Sequence, residues 1–234
     1  MKSNLFLDLI FPGRCAVCEK VLPWKQKEIC EECKKKIEYL DGATCFKCGK
    51  PVKEEEEYCY DCRTKEHYFT CGAAVFSYEY IRLSLYRFKY SGRQEYAMFY
   101  GRQIAGRMEE KRKQWKPDAL IPVPLHKRKI RKRGYNQAEL IAKELGCQWG
   151  VPVITNLVVR SKNTRPMKEI VGTDRQNNLK KAFKLGTNDV KLNTIIIIDD
   201  IYTTGSTIDA VSKVCLEAGI RNVYFITVSI GYGL

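Results

Sequence analysis

The sequence has no uninterrupted apolar run approaching the ~20 residues that a membrane-spanning helix needs, so no integral membrane segment is expected. The hydrophobic stretch of residues 5–11 is interrupted by Asp8, and no small-residue cleavage site follows it. That reads against a secretory leader and for a cytoplasmic protein. A Gly/Ser-rich linker is also missing, so the parts into which the composition divides abut directly. Acidic side chains are scarce in one half only. Residues 1–71 hold 13 Lys+Arg and 13 Asp+Glu, so the whole net charge of +14 belongs to residues 72–234. Within that half, residues 111–133 carry ten basic side chains against one acid, Asp118. A local excess of this size points to a polyanionic partner, either a phosphorylated metabolite or nucleic acid.

What the chain does hold in quantity is cysteine, and in one place. Nine of the eleven cysteines lie at or before Cys71, and eight of them form four Cys-x-x-Cys pairs: Cys15/Cys18, Cys30/Cys33, Cys45/Cys48 and Cys59/Cys62. In a reducing compartment such pairs favour metal over disulfide. Each pair can form a knuckle whose two thiolates face one metal, and two knuckles complete a tetrahedral site, so eight thiolates fit two structural Zn²⁺ ions. Sequential pairing, first with second and third with fourth, is favoured; an interleaved arrangement is the alternative. Cys71, Cys147 and Cys215 lack such partners and read as small apolar fillers. With 234 residues, 44% of them hydrophobic, the chain can form this small module over residues 1–71 and one α/β domain over residues 72–234.

A short amphipathic helix is expected before Phe11. In the second part, residues 73–78 read as a strand and residues 80–90 as a helix with Ile81, Leu85 and Phe88 on one face. A helix is predicted over residues 95–115, a buried strand over 119–123, and a helix over 136–145 with Gly146 as its stop. Residues 151–159 read as a strand, 160–178 as a long mobile loop, and 182–185 as a strand. The series ends with a strand at 194–198, a helix at 207–218 and a strand at 222–228. Alternation of this kind calls for a parallel sheet with helical crossovers.

Residues 195–207 carry the most specific signal. Four consecutive isoleucines, Ile195 to Ile198, are apolar on both faces, as a central parallel strand requires. Asp199 and Asp200 stand at its C-terminal end, where open α/β sheets bind ligands, and can accept hydrogen bonds from vicinal hydroxyls. Thr203, Thr204, Gly205, Ser206 and Thr207 follow. They supply hydroxyl donors, a glycine that admits close approach, and a helix N-terminus whose free N–H groups and dipole favour phosphate. Diol acceptors beside a phosphate cradle define a ribose 5-phosphate. A buried strand ending in a capped surface turn is the plainer alternative.

The segment resembles the phosphoribosyl pyrophosphate signature of type I phosphoribosyltransferases. The resemblance implies that Asp199 and Asp200 act at the ribose hydroxyls, that Thr203 to Thr207 hold the 5-phosphate, and that Mg²⁺ accompanies the pyrophosphate. Upstream, six of the seven residues from Lys127 to Arg133 are basic. This stretch reads as a loop at a neighbouring strand end, where Lys127 and Arg128 can neutralise a pyrophosphate. Arg133, Gly134, Tyr135, Asn136 and Gln137 follow with a mixed character unlike a merely solvated basic run. Cysteine pairs, this Arg-Gly-Tyr-Asn-Gln segment after Pro-Val-Pro-Leu, and the ribose-phosphate loop, in that order, resemble the competence ComF family over essentially the whole chain. Arg160, Thr164, Arg175, Asn178 and Phe183 also match that family's pattern, whereas Met167 stands where its members commonly have Gln. The resemblance implies a phosphoribosyltransferase-like domain behind a double zinc ribbon, in a protein that handles single-stranded DNA during natural transformation.

Two functions stay open at this level. The chain either binds phosphoribosyl pyrophosphate in a retained pocket while a basic surface tracks single-stranded DNA, or it transfers ribose 5-phosphate to a nitrogenous base or amine. No residue stands out as a general base for an acceptor. Tyr86, Tyr90, Tyr100, Trp115 and Tyr135 lie among basic residues and are the candidates for base stacking.

Overall fold

The computed structural model describes residues 12–23, 28–161, 182–186 and 191–231. The helix expected before Phe11 lies outside them. The chain opens with two knuckles of one design. The amide of Cys15 donates to the Lys20 carbonyl at 2.9 Å and that of Cys45 to the Lys50 carbonyl at 2.7 Å. Four residues past each first cysteine, Glu19 and Gly49 return their amides to Cys15 and Cys45 at 2.8 Å. That fourth place is left-handed, at φ +66° for Glu19 and +75° for Gly49, a conformation free of steric cost only for glycine. In the second pair of each ribbon the first cysteine is the N-cap of a one-turn helix and the second lies within it, α1 (Glu31–Lys35) or α2 (Tyr60–Thr64).

β1 (Gly72–Ser77) leads into α3 (Tyr78–Tyr90), where the Ser77 hydroxyl caps the helix by accepting the Tyr80 amide at 3.3 Å. Ile81, Leu85 and Phe88 are buried, as the periodicity predicts. The single helix expected over residues 95–115 is two: α4 (Tyr96–Arg107) and α5 (Glu109–Trp115), broken at Met108. Glu109 and Glu110 then form a fresh acidic first turn, favourable to a new helix N-terminus.

β2 (Ala119–Pro122) is followed not by a basic loop but by a helix, α6 (Lys127–Arg133). His126 Nδ1 accepts the Arg128 amide at 3.2 Å at its start, and Gly134 at φ +85° closes it. Three basic residues in its last turn complement the helix dipole. α7 (Gln137–Trp149) runs past Gly146, the predicted stop, to a left-handed Gly150. Gly146 serves packing instead: a Cβ there would meet Val153 Cγ2 at 2.6 Å and the Val151 carbonyl at 2.8 Å.

The strand predicted over residues 151–159 is reduced to a parallel bridge between Leu120 and Val153 and to β3 (Val158–Arg160). β3 pairs antiparallel with β4 (Phe183–Leu185), while β5 (Thr194–Tyr202), α8 (Ser206–Glu217) and β6 (Asn222–Ile230) complete the order.

The main sheet has the order β1-β6-β5-β2, every pair parallel. Ile195 to Ile198 in β5 are fully buried. By the two-residue period of a strand, Ile195 and Ile197 face one apolar cluster, with Val211 and Cys215 of α8. Ile196 and Ile198 face another, with Phe88 of α3, Phe99 of α4 and Ile141 of α7. The ribbons divide between these faces. Ala16 of the first joins the α3 side, where Ser84 Oγ donates to its carbonyl and Glu19 binds Arg87 at 2.9 Å and Arg93 at 2.8 Å. Cys45, Cys48 and Cys59 of the second join the α8 side, beside Phe69, Tyr202 and Phe225. Of the cysteines read as apolar fillers, Cys215 is buried and Cys147 is exposed.

Candidate functional site

β5 extends four residues beyond the isoleucines, so Asp199 and Asp200 are strand residues whose side chains leave opposite faces. Asp200 is buried, and its Oδ2 lies 2.8 Å from Lys89 Nζ of α3. Asp199 is partly buried and accepts the Asp200 amide through Oδ1 at 2.8 Å. Burial, and then the charge of Asp200, push the Asp199 carboxyl from 3.8 up to about 7. A carboxyl raised in the folded state favours folding while protonated. That contribution is complete below about 3.8 and is lost as pH rises through about 7. Asp199→Asn is therefore expected to flatten the fall in urea midpoint between about pH 5 and about pH 8. Parallel profiles for the two proteins would contradict the assignment.

Immediately after the strand, residues 203–207 turn into α8. Gly205 stands at φ +77°, the Asp209 amide donates to its carbonyl at 2.8 Å, and the Thr204 and Ser206 hydroxyls lie 3.0 Å apart. A Cβ on Gly205 would meet Tyr202 Oη at 2.6 Å, so the glycine is required both by backbone conformation and by space. A small concavity is lined by residues 201–208, including Thr203, Thr204, Ser206 and Thr207. The first-turn amides of α8 are at this end of the helix, which suits an anion.

Helical periodicity splits the basic segment in two. Lys127, Arg128, Arg131 and Lys132 are exposed, whereas Lys129 and Arg133, four residues apart, turn inward. Burial, then Arg160, Arg133 and Lys89, hold the Lys129 amine below its ordinary 10.5, with Asp200 opposing them. Arg133 donates to Gln137 Oε1 at 3.0 Å and to Tyr90 Oη at 3.2 Å. Tyr135 is buried with its hydroxyl donated to the Phe88 carbonyl, and Asn136 Nδ2 donates to the Val123 carbonyl at 3.0 Å. These two bonds anchor the turn between α6 and α7 to α3 and to the end of β2. Arg160 lies over the Phe183 ring at 5.2 Å, at the base of the β3–β4 ribbon. Thr164, Met167, Arg175 and Asn178 lie outside the described residues.

Lys89 was not among the residues singled out from the sequence. A signal for it exists: it follows Ile81 and Leu85 at four-residue steps, so a lysine occupies a place on the apolar stripe of α3. Of the aromatic candidates, Tyr100, Trp115 and Tyr135 are buried, while Tyr86 and Tyr90 are exposed with centroids 5.1 Å apart.

The cysteines gather as Cys15, Cys18, Cys30 and Cys33, and as Cys45, Cys48, Cys59 and Cys62, each set with its sulfurs within 4.8 Å of one another. Zinc–sulfur bonds of about 2.3 Å in a tetrahedron place sulfurs about 3.8 Å apart. Cys18 and Cys30 stand at 3.7 Å, Cys48 and Cys59 at 3.6 Å. The two sets fit two structural zinc ions with sequential pairing.

Two families match the chain, a double zinc ribbon domain over residues 6–63 and a phosphoribosyl transferase domain over residues 99–229. The chain is 30% identical over 219 residues to competence protein F of Haemophilus influenzae, spanning 91% of this chain and 95% of that protein. It is 30% identical over 223 residues to the DNA utilization protein YhgH of Escherichia coli O157:H7, spanning 92% and 96% respectively. The crystal structure of an adenine phosphoribosyltransferase from Saccharomyces cerevisiae is similar over 56% of this chain and 68% of its own, at 17% identity and a TM-score of 0.36. No helix among the described residues is long and apolar enough to cross a membrane. The two family matches follow one another along this chain, the curated relatives match over more than nine-tenths of it, and the chain accordingly belongs to the competence protein F (ComF) family, a double zinc ribbon joined to a type I phosphoribosyltransferase-like domain.

Proposed function

We propose that the chain binds 5-phosphoribosyl 1-pyrophosphate at the C-terminal end of β5. The observation that carries this reading is the juxtaposition of the Asp199/Asp200 pair with the 203–207 turn at one helix N-terminus. The ribose hydroxyls donate to the two carboxylates, and the 5-phosphate accepts from the turn amides and the Thr203, Thr204, Ser206 and Thr207 hydroxyls. Lys89, paired with Asp200, and Lys129 and Arg133, whose charges act on one another there, are the cations that would compensate the pyrophosphate. Mg²⁺ brought in with the ligand would supply further positive charge against the pyrophosphate. Calorimetric titration with phosphoribosyl pyrophosphate and Mg²⁺ tests the reading, and absence of heat at millimolar ligand would reject it. Release of pyrophosphate across a panel of bases and amines separates transfer from binding alone; in a transfer reaction the carboxylates would orient the ring and stabilise positive charge at the anomeric carbon.

A second role rests on a separate observation. Tyr86 and Tyr90 project from α3, Arg133 stacks over Tyr90 at 5.0 Å, and α6 beside them exposes four cations. Aromatic faces next to a basic stripe form a platform for single-stranded DNA, in keeping with a competence role. Tyr86→Ala with Tyr90→Ala is expected to weaken binding of an oligonucleotide by about 10-fold or more while leaving the salt slope unchanged. Arg131→Gln with Lys132→Gln is expected to reduce the slope by about 1.4. Fluorescence anisotropy over a salt series measures both. A loss of slope in the tyrosine variant would reverse the assigned roles.

A further inference from the structure

We infer that His67 is a positioning residue for the 203–207 turn, an inference that rests on the reading of that turn as the phosphate seat. His67 lies between the ribbon and β1, outside residues 6–63 and 99–229, which the two families match. Its imidazole is 2% exposed. Nδ1 lies 2.8 Å from Asp209 Oδ2, and the amide of the next residue, Tyr68, donates to Asp209 Oδ1 at 3.0 Å. Both oxygens of one carboxylate are thus held by consecutive residues from the far end of the chain. Asp209 in turn donates its own amide to the Gly205 carbonyl. The imidazole also lies under the turn, because its Cε1 is 3.3 Å from the place a Gly205 Cβ would occupy.

A residue that only filled space here would not need to be histidine. The ring stacks on Phe69 at 4.7 Å, within an aromatic group that includes Tyr202 and Phe225, and its Nε2 is buried without a partner. Phenylalanine would fill the same volume without the unpaired nitrogen. What imidazole adds is a ring nitrogen that can donate to Asp209. That carboxylate stands in the first turn of α8, where it favours the helix but repels an anion at the same terminus. By holding both of its oxygens on the underside of the turn, His67 and the Tyr68 amide keep this charge away from the phosphate. Through Phe69 and Tyr202 the same ring joins the second zinc site to the seat.

The test uses the full zinc-loaded chain and two readouts, hydrogen exchange of the residue 203–207 amides and titration with ribose 5-phosphate. His67→Ala is expected to speed exchange in that turn and to weaken ribose 5-phosphate by about tenfold, with two zinc ions per chain retained. His67→Asn, whose amide can replace Nδ1 as donor to Asp209, is expected to stay within about threefold of the parent. In an Asp209→Asn background the alanine substitution should have little further effect. Wild-type exchange in His67→Ala, or full additivity with Asp209→Asn, would overturn the inference. A parent chain that binds neither ribose 5-phosphate nor phosphoribosyl pyrophosphate would reject the ligand reading instead, and the exchange data would still decide whether His67 positions the turn.

Discussion

Replacing Asp199 and Asp200 together by alanine is expected to abolish binding of phosphoribosyl pyrophosphate while leaving two zinc ions in place and the fold intact. Each carboxylate that accepts a ribose hydroxyl contributes a charge-assisted hydrogen bond of about 1.5–3 kcal/mol, so losing both weakens binding by about a hundredfold at the least. Folding suffers little, since Asp199 with its raised pKa is costly to keep ionised above neutral pH. The substitution does leave Lys89 without its partner at 2.8 Å, but its stem is long enough to lead the amine to water. Calorimetry and metal analysis on the same preparation decide the outcome. Retained affinity would move the ribose away from β5; loss of zinc would mean that the carboxylates support the ribbon rather than the ligand.

The second large effect concerns the metal sites, which are expected to be unequal. Cys45, Cys48 and Cys59 are buried in the apolar cluster of Phe69, Tyr202 and Phe225, whereas in the first site Cys15 alone is buried. Structural zinc is worth about 10–16 kcal/mol in zinc-finger peptides near pH 7, comparable with the whole stability of a domain. Cys48→Ser with Cys59→Ser should therefore remove one zinc ion and lower the melting temperature by about 10 °C or more, since about 1 kcal/mol moves Tm by about 2–4 °C at this chain length. Cys18→Ser with Cys33→Ser should lose the other ion with a smaller fall, because Glu19 still pairs with Arg87 and Arg93 from a turn whose left-handed conformation is local. Equal losses of stability in the two variants would contradict the packing argument.

The parts of the molecule that could be read in the sequence are those governed by short-range period and spacing. Ile195 to Ile198 alternate between two cores as continuous apolar strands do, and the Cys-x-x-Cys steps fix two ligand sets. The helix α6 is hidden in the sequence because a seven-residue run with six basic side chains looks solvated. The determinants of that helix are its ends, His126 and Gly134, and once it forms, only Lys129 and Arg133 turn inward. Gly146 is ambiguous in the sequence for a related reason: a glycine serves as a stop or as a close contact, and Val153, which makes the contact, lies outside the helix. His67 and Asp209 are 142 residues apart, and no local pattern joins them.

Helix α3 has a consequence beyond the placing of single side chains. Lys89 reaches inward to Asp200, while the adjacent Tyr90 is exposed at the surface and meets Arg133 there, so consecutive residues serve different surroundings. One residue added or removed between Ser77 and Lys89 rotates everything after it by about 100° and would turn both side chains away from their present partners. Length variation among natural homologues should therefore be absent from this helix and gather after its Ser91 cap, around Gly92, where an added side chain meets no atom within 4 Å.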